Sequence, residues 1–242
     1  MNLIVVDARD RVGPSHVTLT DARALHLLNV LHVTPGQAVR VGWLDGPLGV
    51  GTVESAADGR VTMRCVFEAD TPGRPGVDLL LALPRPKVMR RLWAQLAALG
   101  VGQVILTNAE RVERHYFDSH VLSEAVYHPL LIEGMQQARD TRMPSVSIHR
   151  QFKVLVEDRL DTLFSEGVRL VADPGGTSPV GSAVEEFPGQ RVLLAIGPEG
   201  GWNAFELALL QARGFGQVGL GPRTLRVDTA CTALLALVHA SM

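Results

Sequence analysis

Residues 192–201, VLLAIGPEGG, are the most informative part of this chain about its fold. Its first five residues are apolar and too few for a helix, which is typical of a strand buried on both faces of a parallel sheet. A glycine-rich loop follows, and then Asn203 with Glu206 three places later, the pattern that starts a helix; Gly214 would end it. The stretch therefore predicts a strand, a loop and a helix in succession.

The same unit recurs in shorter form directly afterwards. Residues 217–220 are a predicted short strand, LGPRTLRVDTA (residues 220–230) contains a Gly-Pro-Arg loop, and an Ala- and Leu-rich closing helix begins at about Asp228. Two loops then leave the same edge of one parallel sheet, which is where open α/β folds bind their ligands. We expect the two loops to form one ligand site.

The first loop is poorly suited to phosphate. Pro198 removes one peptide N–H donor, and Glu199 places negative charge where a phosphate would lie. The spacing matches neither the dinucleotide fingerprint nor the P-loop. A ligand with hydroxyl groups and a positive charge fits these residues better.

Together, AIGPEGG (residues 195–201) and LGPRTLRVDTA (residues 220–230) resemble the paired signature of the RsmE family, the ribosomal RNA uracil-N3 methyltransferases of the SPOUT superfamily. The resemblance implies an α/β fold with a C-terminal SPOUT domain, which has a trefoil knot and a mostly parallel sheet. It implies S-adenosylmethionine as cofactor, uracil N3 of 16S ribosomal RNA in the small subunit as target, and a cytoplasmic homodimer. The family usually has Glu where this chain has Asp228.

The resemblance also implies the site residues. The cofactor is expected to be held by the two loops and to face the end of a predicted strand at residues 167–174; the loop residues are Gly197, Pro198, Glu199, Gly200, Gly201, Leu220, Gly221, Leu225 and Arg226. Arg226 and Arg111 are expected to stabilise negative charge on the uracil oxygens, while Glu199 or Asp228 accepts the proton or faces the sulfonium. The residues alone leave other roles open, because Asp228 can cap the closing helix and Arg111 can pair with Glu110.

The chain changes character at TPGRPG, residues 71–76, where Pro and Gly break helices and strands. Residues 1–71 are a predicted β-rich domain with one short helix at residues 21–31, and residues 77–242 alternate between strands and helices. The resemblance implies a PUA-like RNA-binding β-barrel for the first domain, matched by HLLNVLH at residues 26–32, and the methyltransferase domain for the second. The family usually has Arg where this chain has His32.

Basic side chains predict the RNA contacts. Arg85, Lys87, Arg90 and Arg91 lie at the start of a predicted helix from Pro86, where cations oppose the helix dipole and a nearby anion would relieve the cost. A solvated face explains the same cluster, but the resemblance favours phosphate binding. A helix predicted at residues 130–139 adds Gln137, Arg139 and, just beyond it, Arg142; Glu133 and Gln137 can equally pair along that helix.

Composition sets further limits. The 242 residues carry a net charge of −2, so an RNA partner must meet a local basic patch. The N-terminal apolar run meets charge at Asp7, and no apolar stretch approaches twenty residues, so no membrane segment is predicted. Cys65 and Cys231 predict neither a disulfide nor a metal site, the histidines lack ligand spacing, and a reducing cytoplasm is expected.

Two functions of other classes remain open. An RNA-binding assembly factor that kept the fold and lost the chemistry would bind RNA without S-adenosylmethionine. A nucleotide-dependent oxidoreductase built on the glycine-rich loops would bind NAD(P), although Glu199 and the missing fingerprint disfavour it.

Overall fold

A computed structural model describes residues 3–242. The N-terminal apolar run and the predicted first domain both begin at residue 1, so their first two residues lie outside the described residues. The chain forms two compact units. One comprises the chain up to Arg74 together with Ile132–Met143, and the other comprises Pro75–Leu131 and Pro144–Met242. The Pro- and Gly-rich stretch predicted as a boundary lies at this division.

The first unit is built on a five-stranded sheet. Its strands are β1 (Ile4–Val6), β2 (His16–Leu19), β3 (Ala38–Trp43), β4 (Leu48–Ala57) and β5 (Arg60–Phe67). The spatial order is β1-β3-β4-β5-β2, and only β1 and β3 pair in parallel. Helix α1 (Ala22–Asn29) packs Ala24 and Leu27 into the core of this unit. Asp45 and Asp58 have φ values of 54° and 52° and each precedes a glycine in a turn between two strands.

A later segment of the chain belongs to this first unit, whereas the sequence suggested one boundary near residue 71. Helix α3 (Glu124–Ala138) begins earlier than predicted, and its end carries Gln136, which accepts a hydrogen bond from the backbone N–H of Val5. Thr141 donates its hydroxyl to the carbonyl oxygen of Gly46 at 2.6 Å. These polar side chains pair with backbone groups of the sheet, and hydrophobic periodicity carries no signal for such bonds.

The second unit contains a seven-stranded sheet in which every neighbouring pair is parallel. This confirms the predicted α/β fold with a parallel sheet. Every residue of the adjacent central strands β6 (Val77–Ala82) and β11 (Val192–Ile196) is buried. Strand β11 is apolar throughout, as expected for a strand covered on both faces, whereas β6 also buries Asp78, whose carboxylate pairs with Arg191 at 2.7 Å. The order is β10-β12-β9-β11-β6-β7-β8, with β6 (Val77–Ala82), β7 (Val101–Thr107), β8 (Ser145–His149), β9 (Val168–Ala172), β10 (Ser178–Pro179), β11 (Val192–Ile196) and β12 (Phe215–Gly219).

Helices cover this sheet. Helix α2 starts with Pro86 in its first turn, where the missing N–H costs nothing, and α7 starts with the predicted capping box of Asn203 and Glu206. The helical segments of the second unit, apart from α3, are α2 (Pro86–Ala98), two 3-10 helices (Arg114–Asp118 and His120–Leu122), α4 (Phe152–Val154), a π-helical turn (Leu155–Arg159), α5 (Leu160–Leu163), α6 (Val180–Glu185), α7 (Ala204–Ala212) and α8 (Val227–Ser241).

The closing helix α8 lies against α2, α6, β6 and β11. It buries one apolar face, formed by Val227, Cys231, Leu234, Leu235 and Val238, within the second unit, while Leu237 stays 42% exposed. Across residues 3–242, none of the helices is long and apolar enough to cross a membrane. The same residues contain no cluster of three or more potential metal ligands.

Candidate functional site

One cleft lies at the carboxyl edge of the parallel sheet, where the loops after β9, β11 and β12 meet. Both loops predicted to form a ligand site line it. Strand β9 lies between β11 and β12, so its own loop contributes Ala172, Asp173 and Pro174. The first turns of α8 close the cleft with Val227, Ala230 and Leu234.

Eight of the nine residues predicted to hold the cofactor line this cleft, and the ninth, Arg226, does not. The eight are Gly197, Pro198, Glu199, Gly200, Gly201, Leu220, Gly221 and Leu225. Their common position follows from the topology, because parallel strands all end at one edge of the sheet. Their role as cofactor ligands stays a prediction.

The glycine-rich loop has a defined turn. The backbone N–H of Gly201 donates to the carbonyl oxygen of Pro198 at 2.8 Å, and Gly201 has a φ of 75°, which favours glycine. Pro198 is buried, while Glu199 and Gly200 at the centre of the turn are exposed. The turn therefore presents Glu199 and Gly200 at the rim of the cleft.

The loops after β9 and β12 touch each other through their backbones. A side chain on Gly176 would collide with the carbonyl oxygen of Val218 and come within 2.8 Å of the nitrogen of Gly219. A side chain on Gly219 would in turn collide with the carbonyl oxygen of Gly176. Gly219 lines the cleft and Gly176 contacts it, so glycine at both positions is a steric requirement of the wall of the cleft at Gly219.

The charged groups that line the cleft favour a cationic ligand. They are two carboxylates, Asp173 and Glu199, and one guanidinium, Arg223. One oxygen of Asp173 accepts hydrogen bonds from the backbone N–H of Gly175 at 2.8 Å and from the side-chain amide of Gln217 at 3.0 Å. The excess of carboxylates agrees with the sequence argument against phosphate.

Arg111 lies in the loop after β7 and reaches over the glycine-rich loop. Its guanidinium donates a hydrogen bond to the carbonyl oxygen of Gly200. The structure therefore joins Arg111 to the predicted cofactor loop, rather than to its neighbour Glu110. Arg111 is exposed and does not itself line the cleft.

The basic cluster on α2 is linked to the same region by two ion pairs. Glu199 accepts a hydrogen bond from the backbone N–H of Arg85, the N-cap of α2, at 3.4 Å, and lies 3.9 Å from its guanidinium. Arg91 lies 2.9 Å from the carboxylate of Asp228. Lys87 and Arg90 are exposed and form no hydrogen bond or ion pair with any residue from 3 to 242.

The start of α8 shows that Asp228 is not the cap of the closing helix, one of the roles that the sequence left open. Arg226, rather than Asp228, is the N-cap, and its extended backbone has φ −66° and ψ 152°. Asp228 lies inside the first turn, and its hydrogen bond from Arg91 holds the pKa of the carboxyl below its ordinary value of 3.8. The guanidinium of Arg226 is exposed and has no partner in the described part of the chain.

The remaining RNA candidates lie in the first unit. Gln137 is near the end of α3, and Arg139 follows it with a φ of 60° and an exposed side chain. Arg142 donates hydrogen bonds to the carbonyl oxygens of Pro72 and Asp45, which gives it a structural role in this unit. His32 is exposed, has a φ of 49°, and contacts the carbonyl oxygen of Leu28 at the end of α1.

Two site features were missed by sequence reasoning. Trp202 directly follows the glycine-rich loop, is 5% exposed, lines the cleft and stacks on Phe152 at 5.5 Å between ring centroids. Glu206, expected only as a capping residue, also accepts a hydrogen bond from the backbone N–H of Glu110 at 2.7 Å. An aromatic residue directly after a glycine-rich loop can be identified from the sequence as a candidate for the site. No local sequence pattern indicates the contact between Glu206 and Glu110.

The two cysteines have no part in the chemistry of the site. Burial raises the pKa of the Cys231 thiol in α8 to about 12 and that of Cys65 in the first unit to about 11. Both thiols are buried and free. They are protonated at neutral pH and behave as small apolar side chains.

Comparison with known proteins gives a consistent result. Residues 72–239 match a protein family described as RNA methyltransferase domain. Two proteins named ribosomal RNA small subunit methyltransferase E are each 30% identical to this chain. The one from Treponema pallidum aligns over 100% of this chain and 91% of its own length, and the one from Synechocystis over 98% and 77%.

A solved structure shows the same fold. It is a ribosomal RNA small subunit methyltransferase E from Neisseria gonorrhoeae bound to S-adenosylmethionine, with a TM-score of 0.79 and 21% identity. The match covers 99% of this chain and 97% of that chain.

Proposed function

The chain belongs to the RNA methyltransferase family, with relatives named small subunit methyltransferase E, and we propose that it transfers a methyl group from S-adenosylmethionine to uracil N3 in 16S ribosomal RNA. The observation that carries the proposal is the cleft at the carboxyl edge of the sheet. It is lined by three loops, two of which contain the signature residues.

The residues of the cleft fit S-adenosylmethionine. Ile196, Val218, Leu225, Val227 and Leu234 give it apolar walls for the adenine ring, and the glycine-rich turn brings backbone groups close to a ligand. The two carboxylates against one guanidinium suit a ligand whose sulfonium is positive. The Neisseria relative, which has the same fold, is described as bound to this molecule.

When bound, S-adenosylmethionine supplies a methyl group activated by the cationic sulfur. The residues of this chain orient the uracil, exclude water and manage the proton that leaves N3. Arg226, exposed at the start of α8, and Arg111, held above the glycine-rich loop, offer positive charge to the uracil oxygens as negative charge develops. Both roles are part of the proposal.

Glu199 is our candidate for the group that accepts the N3 proton. It lines the cleft and lies at its rim, whereas Asp228 does not line it. Asp228 is also held as an anion by Arg91, and a carboxylate with a lowered pKa is a weaker base. Asp228 therefore orients Arg91 in this proposal and takes no proton.

The wider assignments of the family complete the proposal. They are a trefoil knot in the second unit, a PUA-like RNA-binding role for the first unit, a cytoplasmic location and a homodimer with shared active sites. The exposed Lys87 and Arg90 support contact with RNA phosphates. Sedimentation at micromolar concentration tests the dimer, which a monomer would contradict.

Calorimetric titration of the purified protein separates the three functions. S-adenosylmethionine is expected to bind at one site per chain, and NADH in a parallel titration is expected not to bind. RNA binding without S-adenosylmethionine binding, both in the free protein and with 16S RNA present, would favour an assembly factor. Binding of NADH alone would favour an oxidoreductase and contradict the proposal.

A further inference from the structure

The carboxylate of Glu206 is buried in the first turn of α7, with 3% of the residue exposed. Both of its oxygens accept hydrogen bonds from backbone N–H groups. Oε2 accepts from Asn203 at 2.8 Å, which completes the capping box, and Oε1 accepts from Glu110 at 2.7 Å. The second bond reaches a loop 96 residues away, so Glu206 does more than cap its own helix.

The bond from Glu206 fixes the residue that precedes Arg111. Arg111 in turn donates its guanidinium hydrogen bond to the carbonyl oxygen of Gly200. The loop after β7 is thus held at two points: the exposed Arg111 joins it to the loop after β11, and the buried carboxylate of Glu206 joins it to the first turn of α7, which follows that loop. Gly200 lies in the turn that lines the cleft, so both contacts bear on the shape of the ligand site.

The chemistry of the contact requires a carboxylate. The two groups that face Glu206 are both N–H donors, and an ionised carboxylate offers an acceptor to each of them. Glutamine has the same shape but would turn one NH₂ group towards an N–H group, which leaves a buried donor unpaired. A negative charge at the N-terminus of α7 is also stabilised by the helix dipole.

We infer that Glu206 is a positioning residue for the methyl transfer. It holds the backbone at Glu110 so that the hydrogen bond from Arg111 to Gly200 keeps the glycine-rich turn in the conformation that binds the cofactor. The identity of the cofactor rests on the proposed function, whereas the fixing of the two loops does not.

The test compares Glu206→Gln with Glu185→Gln, a control at an exposed glutamate on α6. Hydrogen exchange of the free protein is followed by mass spectrometry. In Glu206→Gln we expect peptides that contain Glu110 and Asn203 to exchange on the order of tenfold faster, because a buried acceptor is lost, while β6 stays protected. Wild-type exchange at Glu110 in Glu206→Gln would overturn the inference.

Affinity for S-adenosylmethionine gives the second readout. We expect Glu206→Gln to raise the Kd about tenfold and Arg111→Ala to raise it as well. The double variant is expected to have a Kd no higher than that of the single variant that binds less tightly. If the Kd of the double variant rises by the product of the two single-variant factors, Glu206 does not act through Arg111. If the wild type binds no S-adenosylmethionine, the proposed function fails, and the exchange experiment still decides the role of Glu206.

Two further variants keep the inference testable if Glu206→Gln does not fold. Glu206→Asp keeps the charge but is shorter, so we expect faster exchange at Glu110 with protection of β6 retained. Arg111→Ala removes only the exposed hydrogen bond to Gly200. We expect the Glu110 amide to stay protected in this variant, because Glu206 still accepts its hydrogen bond. Unchanged exchange at Glu110 in Glu206→Asp, or loss of that protection in Arg111→Ala, would contradict the inference.

Discussion

The guanidinium of Arg91 lies 2.9 Å from the carboxylate of Asp228, a residue 137 positions further along the chain. The pair joins the basic cluster of α2 to the first turn of α8. It neutralises one of the cations that oppose the dipole of α2 and places a carboxylate at the N-terminus of α8, where the dipole favours it. The carboxylate at which this chain departs from the usual family residue therefore has a structural partner.

The Arg91–Asp228 pair predicts a shift in the titration of Asp228. In the wild type, the hydrogen bond from Arg91 lowers the pKa of Asp228 below 3.8, and we expect Arg91→Met to return it towards that value. Carboxyl carbon chemical shifts followed by NMR from pH 2 to 6 measure the change. Arg90→Met is the matched control, because Arg90 is the exposed neighbour and has no ion pair among residues 3–242.

The same shift fixes the pH range in which the pair stabilises the fold. The pKa of Asp228 is lower in the folded chain, so its contribution is present above pH 3.8 and is lost as the pH falls through the folded pKa. The two side chains are 51% and 22% exposed, so we expect the contribution to be about 0.2–1 kcal/mol. A pKa of Asp228 that is equal in the wild type and in Arg91→Met would contradict the pairing.

Fully buried strands and helix starts marked by a proline or a capping box are the part of this fold that local sequence determines. Strand β11 has the predicted bounds, Val192–Ile196, because five buried apolar residues flanked by Arg191 and Gly197 have few alternatives. Helix α2 begins at the predicted Pro86, and α7 begins after the predicted cap Asn203. Strand β8 (Ser145–His149) was missed because it lies at the edge of the sheet and is only partly buried.

The contacts that complete the site could not be predicted from local sequence patterns. The sequence placed the two glycine-containing loops at one sheet edge, since the carboxyl ends of parallel strands coincide. It did not pair Arg91 with Asp228, Arg85 with Glu199, or Glu206 with Glu110, because each pair depends on how distant elements pack.

Arg226 is predicted to be needed for chemistry and not for the fold. Its side chain is exposed at the N-cap of α8, so Arg226→Ala is expected to leave the free energy of unfolding within about 0.5 kcal/mol of the wild type. The turnover number is expected to fall on the order of 10²- to 10³-fold, as when a group that stabilises developing charge is lost. Single-turnover methyl transfer and chemical denaturation measure the two effects.

Arg159→Ala is the control for Arg226, since Arg159 is also an exposed arginine of the second unit. It is expected to retain wild-type turnover. Near-normal turnover in Arg226→Ala would remove Arg226 from the mechanism.

The wall of the cleft at Gly219, which contacts Gly176, is predicted to tolerate no side chain. In Gly219→Ala the new methyl group collides with the carbonyl oxygen of Gly176, so the two loops must separate. We expect a loss of about 1–3 kcal/mol in the free energy of unfolding and weaker binding of S-adenosylmethionine. Denaturation and calorimetry measure these changes.

Gly216→Ala is the matched control within β12. Its methyl group would lie 3.6 Å from the side chain of Leu170, an ordinary contact, so cofactor affinity is expected to stay unchanged. Equal affinities in Gly219→Ala and Gly216→Ala would show that this wall does not shape the ligand site.

Lys87 and Arg90 are predicted to contact RNA phosphates. Both are exposed cations without a protein partner within residues 3–242. Each phosphate contact that is lost reduces the slope of log K against log salt by about 0.7–0.9, so the double alanine variant should reduce it by about 1.4–1.8. Lys153→Ala, at an exposed lysine on α4, should keep the wild-type slope, and an unchanged slope in the double variant would place the RNA elsewhere.

Analysis of the reaction product decides whether the protein methylates uracil N3. Small ribosomal subunits that lack the modification are incubated with the protein and S-adenosylmethionine, and their 16S RNA is digested to nucleosides and examined by mass spectrometry. We predict 3-methyluridine at up to one per subunit, formed on the order of 10²- to 10³-fold more slowly by Arg226→Ala. Subunits that gain no methyl group, or gain one on a nucleoside other than uridine, would contradict the assignment.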